Sequence, residues 1–143
     1  MVHVGGAGMS RFTAGQELAP HTFLINHALL VAYANASGDQ NPIHQDEAFA
    51  KSVGLPDVIA HGMLTMALAG KYVADLAGGS ASVKEYSVRF TKPVVVPAGV
   101  DVELIVTGKV SEITDAGDAK IDITAICADT KVLGMAKALV ANA

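Results

Sequence analysis

The sequence predicts an α+β fold in which an antiparallel sheet curls around one buried helix. Residues 62–76 are so densely apolar that a helix there would be apolar on most sides, which indicates burial all round. From Ser82 onward the sequence pattern changes: apolar and polar residues alternate and β-branched residues are frequent, which predicts strands. Four such runs follow one another: 83–90, 100–113, 119–128 and 132–140. A curled sheet is the arrangement that best buries such a helix.

Shorter elements are predicted before the long helix. Residues 21–25 form a short apolar run, and Asn26 is a plausible N-cap for an alanine-rich helix over 27–36. Asp46 is a plausible cap for a short helix that continues through Ala50. The residues between these two helices form a polar loop that contains Gly38 and Pro42.

The turns agree with an antiparallel sheet. Pro93 and residues 97–99 separate the first two predicted strands, and the Asp-Ala-Gly-Asp at 115–118 predicts a hairpin. The exposed edges of such a sheet favour pairing with a second subunit. We therefore expect a homodimer or a heterodimer.

Bulk properties limit the class of protein. The 143 residues suit one domain, which we place at 10–143, and the glycines of residues 1–9 predict a flexible leader. That leader lacks the features of a signal peptide, so a cytoplasmic location is expected. His61, Lys71 and Asp75 interrupt the apolar stretch 58–78, which argues against membrane insertion. The net charge of −4, with scattered cations, argues against nucleic-acid binding.

The loop Ser-Gly-Asp-Gln-Asn-Pro-Ile-His at 37–44 holds the most informative side chains. Asp39 and His44 would supply a carboxylate and an imidazole, the minimum equipment for general acid-base catalysis near neutral pH. An alternative is ordinary turn chemistry, with Asp39 and Asn41 bonding their own backbone and His44 partly exposed. A metal site is a third interpretation, because His44, Asp46, Glu47 and His61 are near one another in sequence. Their spacing matches no familiar ligand set, so we expect no metal.

The second informative segment is Ala-His-Gly-Met at 60–63, where the long helix begins. Backbone N–H groups at a helix start are free to bind a negatively charged oxygen, and Gly62 allows close approach. An acyl thioester that reacts at its α carbon develops such a charge on its carbonyl oxygen. The alternative is that Gly62 only relieves crowding and that His61 is a buried histidine with satisfied hydrogen bonds.

Together, GDQNPIH and AHGM resemble the signature of the MaoC-like, (R)-specific enoyl thioester hydratases and dehydratases. The similarity covers roughly residues 11–137 and is strongest with the catalytic subunits of mycobacterial (3R)-hydroxyacyl-ACP dehydratases. The resemblance implies a hot-dog fold, with Asp39 and His44 as catalytic dyad and Asn41 holding the loop. It also implies that the Gly62 N–H binds the substrate carbonyl. Some relatives carry a serine further along the helix where this chain has Gly70.

The function implied by the resemblance is reversible conversion of a trans-2-enoyl thioester into a (3R)-hydroxyacyl thioester. The substrate is expected on acyl-ACP, in fatty acid or mycolic acid type elongation, or on acyl-CoA with a homodimeric enzyme. No cofactor is implied. One alternative on the same fold is a thioesterase, whose central helix would need a carboxylate, here only Asp75. An alternative of another class is a non-catalytic acyl-binding subunit.

Overall fold

The computed structural model describes residues 10–142, so the predicted leader at residues 1–9 lies outside the described part. The helices are α1 (His27–Ser37), α2 (Glu47–Ser52) and α3 (Gly62–Leu76), with 3₁₀ turns at Pro42–His44 and Ser80–Ser82. The strands are β1 (Glu17–Ile25), β2 (Val83–Phe90), β3 (Val102–Ile113), β4 (Ala119–Cys127), β5 (Thr130–Lys131) and β6 (Leu133–Val140). The predicted long helix and the four predicted strands are confirmed, with small differences at their ends.

All strand pairs in the sheet are antiparallel. The spatial order is β1-β3-β4-β6-β2, and the short β5 pairs with β4. The 115–118 segment forms the predicted hairpin between β3 and β4, closed by a hydrogen bond from the Thr114 N–H to the Asp118 carbonyl of 2.8 Å. The sheet is therefore continuous from one edge at β1 to the other at β2.

Strand β1 was not predicted as a strand, only as a short apolar run. It lies at the sheet edge, contains Pro20, and its register shifts between Leu18 and His21. Proline is tolerated at an edge because that strand leaves part of its backbone unpaired. Only Leu18 and Ile25 of this strand are buried, so the sequence lacks the regular alternation that reveals a strand.

Helix α3 packs on the face of the sheet that also buries alternate residues of β3 and β4. Its Leu64, Ala69 and Val73 belong to the same core as Val106 and Ile121. This arrangement follows from the period-2 pattern of the strands, which directs every second side chain to one face. The core therefore fixes α3, and with it the residues at its N-terminal end.

The prediction that α3 is buried on all sides is wrong for the chain by itself. Met63 is 56% exposed, and Ala67 and Lys71 on the same face are also exposed. One sheet covers only one side of a helix, so the remaining apolar stripe faces outward. None of the helices in residues 10–142 has the length and hydropathy needed to cross a membrane.

Capping residues fix the two short helices that flank the polar loop. The Asn26 side chain accepts a hydrogen bond from the Leu29 N–H at 2.9 Å, and the Asp46 side chain accepts one from the Phe49 N–H at 3.1 Å. Both predicted N-caps are thus confirmed. Gly38 ends α1 with a φ of 84°, a left-handed conformation that favours glycine, and so turns the chain into the loop.

Candidate active site

The loop between α1 and α2 is held by its own polar side chains. Asp39 Oδ1 accepts a hydrogen bond from the Asn41 N–H at 3.1 Å, and Asn41 Oδ1 accepts one from the Ile43 N–H at 3.1 Å. The turn chemistry considered for Asp39 and Asn41 is therefore present, and it orients the Asp39 carboxylate. The accompanying expectation of a partly exposed His44 is wrong, because His44 is only 7% exposed.

His44 is oriented by a backbone carbonyl from another part of the chain. Its Nδ1 lies 2.7 Å from the carbonyl oxygen of Ile59. A carbonyl can only accept, so Nδ1 carries the proton and Nε2 has a free lone pair in the neutral ring. The distance from Nε2 to Asp39 Oδ2 is 3.9 Å, too long for a direct hydrogen bond. The carboxylate side chain is 53% exposed, so the pair opens to the surface on that side.

The surroundings of His44 favour its neutral form. Burial is the largest effect and lowers the pKa of His44, because the charged ring loses hydration. The hydrogen bond with Ile59 raises this pKa, His61 lowers it, and Asp39 raises it, with a net lowering. A neutral Nε2 facing a carboxylate is an arrangement that can accept a proton near neutral pH.

His61 lies beside this pair. It is 2% exposed, and its Nε2 lies 3.1 Å from the Asp39 carbonyl oxygen. The expectation of a histidine with satisfied hydrogen bonds is wrong, because Nδ1 has no hydrogen-bond partner within residues 10–142. Neighbouring sequence gives no signal of this contact, which joins residues 22 positions apart.

Asp39, His44 and His61 form a compact cluster, with one donor atom from each lying within 4.8 Å of the others. Donors around a tetrahedral zinc ion lie about 3.3 Å apart, closer than the 3.9 Å between His44 Nε2 and Asp39 Oδ2. Asp46 and Glu47, the other residues considered as ligands, have other partners: Asp46 caps α2 and Glu47 pairs with Lys51 at 3.3 Å. These contacts do not favour the metal interpretation.

Gly62 directly follows His61 and is the first residue of α3. In the described chain no side chain caps this helix end, so the first backbone N–H groups of α3 are free of a capping hydrogen bond. A Cβ at Gly62 would lie 3.2 Å from the Phe90 ring, tighter than an ordinary contact. A cavity of about 380 Å³ opens here, lined in part by Gly62, Thr65 and Phe90.

Gly70 lies two turns further along α3, where some relatives were expected to carry a serine. A Cβ at this position would lie 3.0 Å from the Tyr86 ring. The Tyr86 hydroxyl donates a hydrogen bond to the Met66 carbonyl at 2.6 Å. The space beside Gly70 is thus filled by an aromatic ring whose hydroxyl is already bonded to the helix backbone.

The sequence matches a family model described as a MaoC like domain over residues 11–125. The chain belongs to the MaoC-like family. This confirms the resemblance that was based on the GDQNPIH motif of the loop and the AHGM motif at the start of α3.

The MaoC-like chain is also similar in sequence to individual known proteins. It is 45% identical over 74 residues to 3-hydroxyacyl-thioester dehydratase X of Mycobacterium tuberculosis, a match that covers 52% of this chain and 25% of that protein. The chain therefore spans about a quarter of the length of that curated relative.

Two solved structures share the fold. A MaoC-like dehydratase is 36% identical with a TM-score of 0.89, and the match covers 92% of this chain and 41% of the other. R-hydratase PhaJ1 from Pseudomonas aeruginosa is 28% identical with a TM-score of 0.78, and the match covers 94% and 87%. These likenesses confirm the predicted α+β hot-dog fold of the MaoC-like chain.

Proposed function

We propose that this MaoC-like chain catalyses the reversible hydration of a trans-2-enoyl thioester to a (3R)-hydroxyacyl thioester. The observation that carries the proposal is the facing of Asp39 Oδ2 and His44 Nε2 across 3.9 Å. The other polar atom of each side chain already has a partner. Asp39 Oδ1 accepts a hydrogen bond from the Asn41 N–H, and His44 Nδ1 donates one to the Ile59 carbonyl. A separation above 3.5 Å between two acceptors suits one water that donates to both.

The proposed chemistry adds that water across the double bond. The water oxygen forms a bond to carbon 3 while His44 Nε2 takes one proton and Asp39 accepts a hydrogen bond from the other. The electrons of the double bond move toward the thioester oxygen, where a Gly62 N–H stabilises the developing charge. The proton on His44 then passes to carbon 2, which regenerates the neutral ring. Dehydration follows the same steps in reverse.

The names of the relatives support the same reaction. One relative is called a 3-hydroxyacyl-thioester dehydratase and one structural neighbour an R-hydratase. The name of the mycobacterial relative favours the dehydratase direction. Acyl-ACP as the carrier, in elongation of the fatty acid or mycolic acid type, is our proposal from the resemblance of the two sequence motifs. Hydration of acyl-CoA by a homodimer is the alternative, and the name of the R-hydratase supports its hydration direction. A cytoplasmic location and a single domain over 10–143 stay predictions.

A second subunit is part of the proposal. The apolar stripe of α3 that contains Met63 and Ala67 is exposed, and the chain covers only 41% of the solved MaoC-like dehydratase. Another hot-dog unit, identical or different, would cover that stripe. The thioesterase alternative is not favoured, because Asp75 is exposed, pairs with Lys71 at 2.7 Å, and lies at the opposite end of α3 from His61.

The test is hydration of trans-2-enoyl thioesters by the purified chain. Crotonyl-CoA, longer enoyl-CoA substrates and enoyl-ACP are compared by the loss of conjugated enoyl absorbance, and the product is separated on a chiral column. We expect a (3R)-hydroxyacyl product. Release of free thiol without a hydroxyacyl product would indicate a thioesterase. Binding of acyl thioesters with no turnover on any substrate, by the chain alone and together with a second hot-dog subunit, would indicate a non-catalytic subunit.

A further inference from the structure

The proposed reaction does not use His61, although this side chain is buried against the Asp39 backbone and the His44 ring. It occupies the N-cap position of α3 but makes no capping hydrogen bond there. Its Nδ1 is buried with no hydrogen-bond partner among the described residues. A buried polar atom without a partner destabilises a fold, so such an atom in a folded protein calls for a physical explanation.

The contacts of His61 connect three elements. Its Nε2 donates a hydrogen bond to the Asp39 carbonyl at 3.1 Å. The proton of the neutral ring is therefore on Nε2, and Nδ1 is unprotonated. Its ring stacks on the His44 ring, with centroids 3.8 Å apart and planes 23° from parallel. Tyr33, on α1, meets it edge-on at a centroid distance of 4.8 Å. One rigid ring therefore touches the backbone of Asp39 and the imidazole of His44 at once.

We propose that His61 is a positioning residue, which sets the separation of Asp39 and His44 through its hydrogen bond to one and its stacking on the other. The inference rests on the proposed function, since it assigns these two residues to the reacting water. Loss of alignment by about 1 Å can lower a rate by about 100-fold, so a side chain that fixes both partners has a direct effect on turnover.

The same contact affects how His44 titrates. The titratable groups that face His44 are Asp39 from its own loop and His61 from the start of α3, while Tyr33 of α1 contacts His61. The neighbouring His61 ring disfavours a positive charge on the His44 ring. Burial remains the largest cause of the lowered pKa of His44. Replacing His61 by a side chain that cannot be protonated removes a further cause that lowers this pKa, so the pKa is expected to rise.

Two substitutions separate the two contacts. His61→Gln keeps an N–H donor for the Asp39 carbonyl but has no ring, whereas His61→Phe keeps a ring to stack on His44 but has no donor. We expect kcat to fall about 10- to 100-fold in His61→Phe. KM is expected to stay within about threefold, because the substrate-binding groups are unchanged. His61→Gln is expected to recover part of the lost kcat.

His27→Gln is the matched control. The Nε2 of His27 also bonds a backbone carbonyl, that of Val96 at 2.6 Å, but this contact does not involve the loop that holds Asp39 and His44. We expect its kcat to stay close to that of the parent. The pKa of His44 is measured in all variants by NMR titration of its ring protons, and we expect it to rise in both His61 variants and stay constant in His27→Gln.

Unchanged kcat in a folded His61→Phe, with an unchanged His44 titration, would overturn the inference. An equal loss of kcat in His27→Gln would also overturn it, because the effect would then be general destabilisation. If His61→Phe does not fold, His61→Gln with the NMR titration decides. The titration needs no turnover, so an inactive parent would count against the proposed function while the shift in His44 still tests His61.

Discussion

Two regions along α3 differ in whether the polar groups of their buried or partly buried side chains are hydrogen-bonded. In the middle and C-terminal half of the helix, the hydroxyls of Tyr86 and Tyr72 each donate to a backbone carbonyl, at 2.6 and 2.7 Å. At the N-terminal end, His44 Nε2 lies 3.9 Å from Asp39 Oδ2 and His61 Nδ1 has no partner in residues 10–142. Both hydroxyls of the first region are hydrogen-bonded within the protein, while the second region keeps acceptors available for another molecule.

The difference has an energetic meaning. An unpaired buried polar atom costs about 1–3 kcal/mol of stability, and a satisfied hydrogen bond contributes about 1 kcal/mol. Proteins keep such costly groups where activity requires them. Changes at the histidine end should therefore reduce activity with little loss of stability, and changes at the tyrosine end should do the reverse.

The largest effect is expected for His44→Asn. The Asn Nδ2 can still donate to the Ile59 carbonyl, but nothing replaces Nε2 as the acceptor of the water proton. We expect kcat/KM to fall by about 10²- to 10⁴-fold, the usual effect of losing a positioned base. Hydration of the enoyl thioester is the assay, with thermal unfolding as the control. A folded variant within a few-fold of the parent would remove His44 from the mechanism.

Gly62 is tested by comparing proline with alanine. Proline is well tolerated at the first position of a helix, and His61 has φ −59° and ψ 131°, which suit the residue before a proline. Gly62→Pro removes the backbone N–H of residue 62. Gly62→Ala keeps this N–H and, like proline, places a Cβ beside Phe90. We expect kcat to be about 10²-fold lower for proline than for alanine. Equal rates would show that this N–H does not bind the carbonyl.

The pH dependence follows from the lowered pKa of His44, whose main cause is burial. The neutral ring is the active form, so we expect kcat/KM to hold at neutral pH and fall only below the ordinary histidine value of about 6.5. The free energy of unfolding is also expected to decrease as the pH falls through that value, because the unfolded chain then gains a proton that the buried ring resists. An activity loss that begins well above pH 6.5 would contradict this account.

The smallest effect on activity is expected for Tyr86→Phe. Burial raises the pKa of Tyr86 to about 12, so its hydroxyl stays protonated and serves as a donor to Met66. Its removal should lower the free energy of unfolding by about 1 kcal/mol, measured by urea denaturation. Turnover should stay within about twofold of the parent. A large loss of kcat with normal stability would mean that the tyrosine end also takes part in the reaction.

Sequence reasoning was most successful where the signal is local. Helix α3 is bounded by Gly62 and by the glycine pair after Leu76, so its limits were predicted correctly. Strand β1 was missed because an edge strand with Pro20 and few buried residues has no strong pattern. In the site, Asp39 and His44 were found from their motif, and their roles remain predictions.

The parts of the site that escaped prediction depend on long-range contacts. The carbonyl of Ile59 orients His44 from 15 residues away, and a backbone carbonyl leaves no trace in the sequence. The lack of a hydrogen-bond partner for His61 Nδ1 within residues 10–142 depends on how three elements pack, which residue type and spacing do not determine. Such contacts can be recognised only once the fold is known.

The most direct test of the account is a double-mutant cycle on Asp39 and His44. Asp39→Asn keeps the oxygen that accepts from the Asn41 N–H, so the loop is preserved in the variant. If both residues act on one water, each single variant should lose about 10²- to 10⁴-fold in kcat. The double variant should then fall no more than about tenfold below the weaker single one. Losses that multiply in the double variant, or a single variant that retains near-parental kcat, would contradict a shared catalytic water.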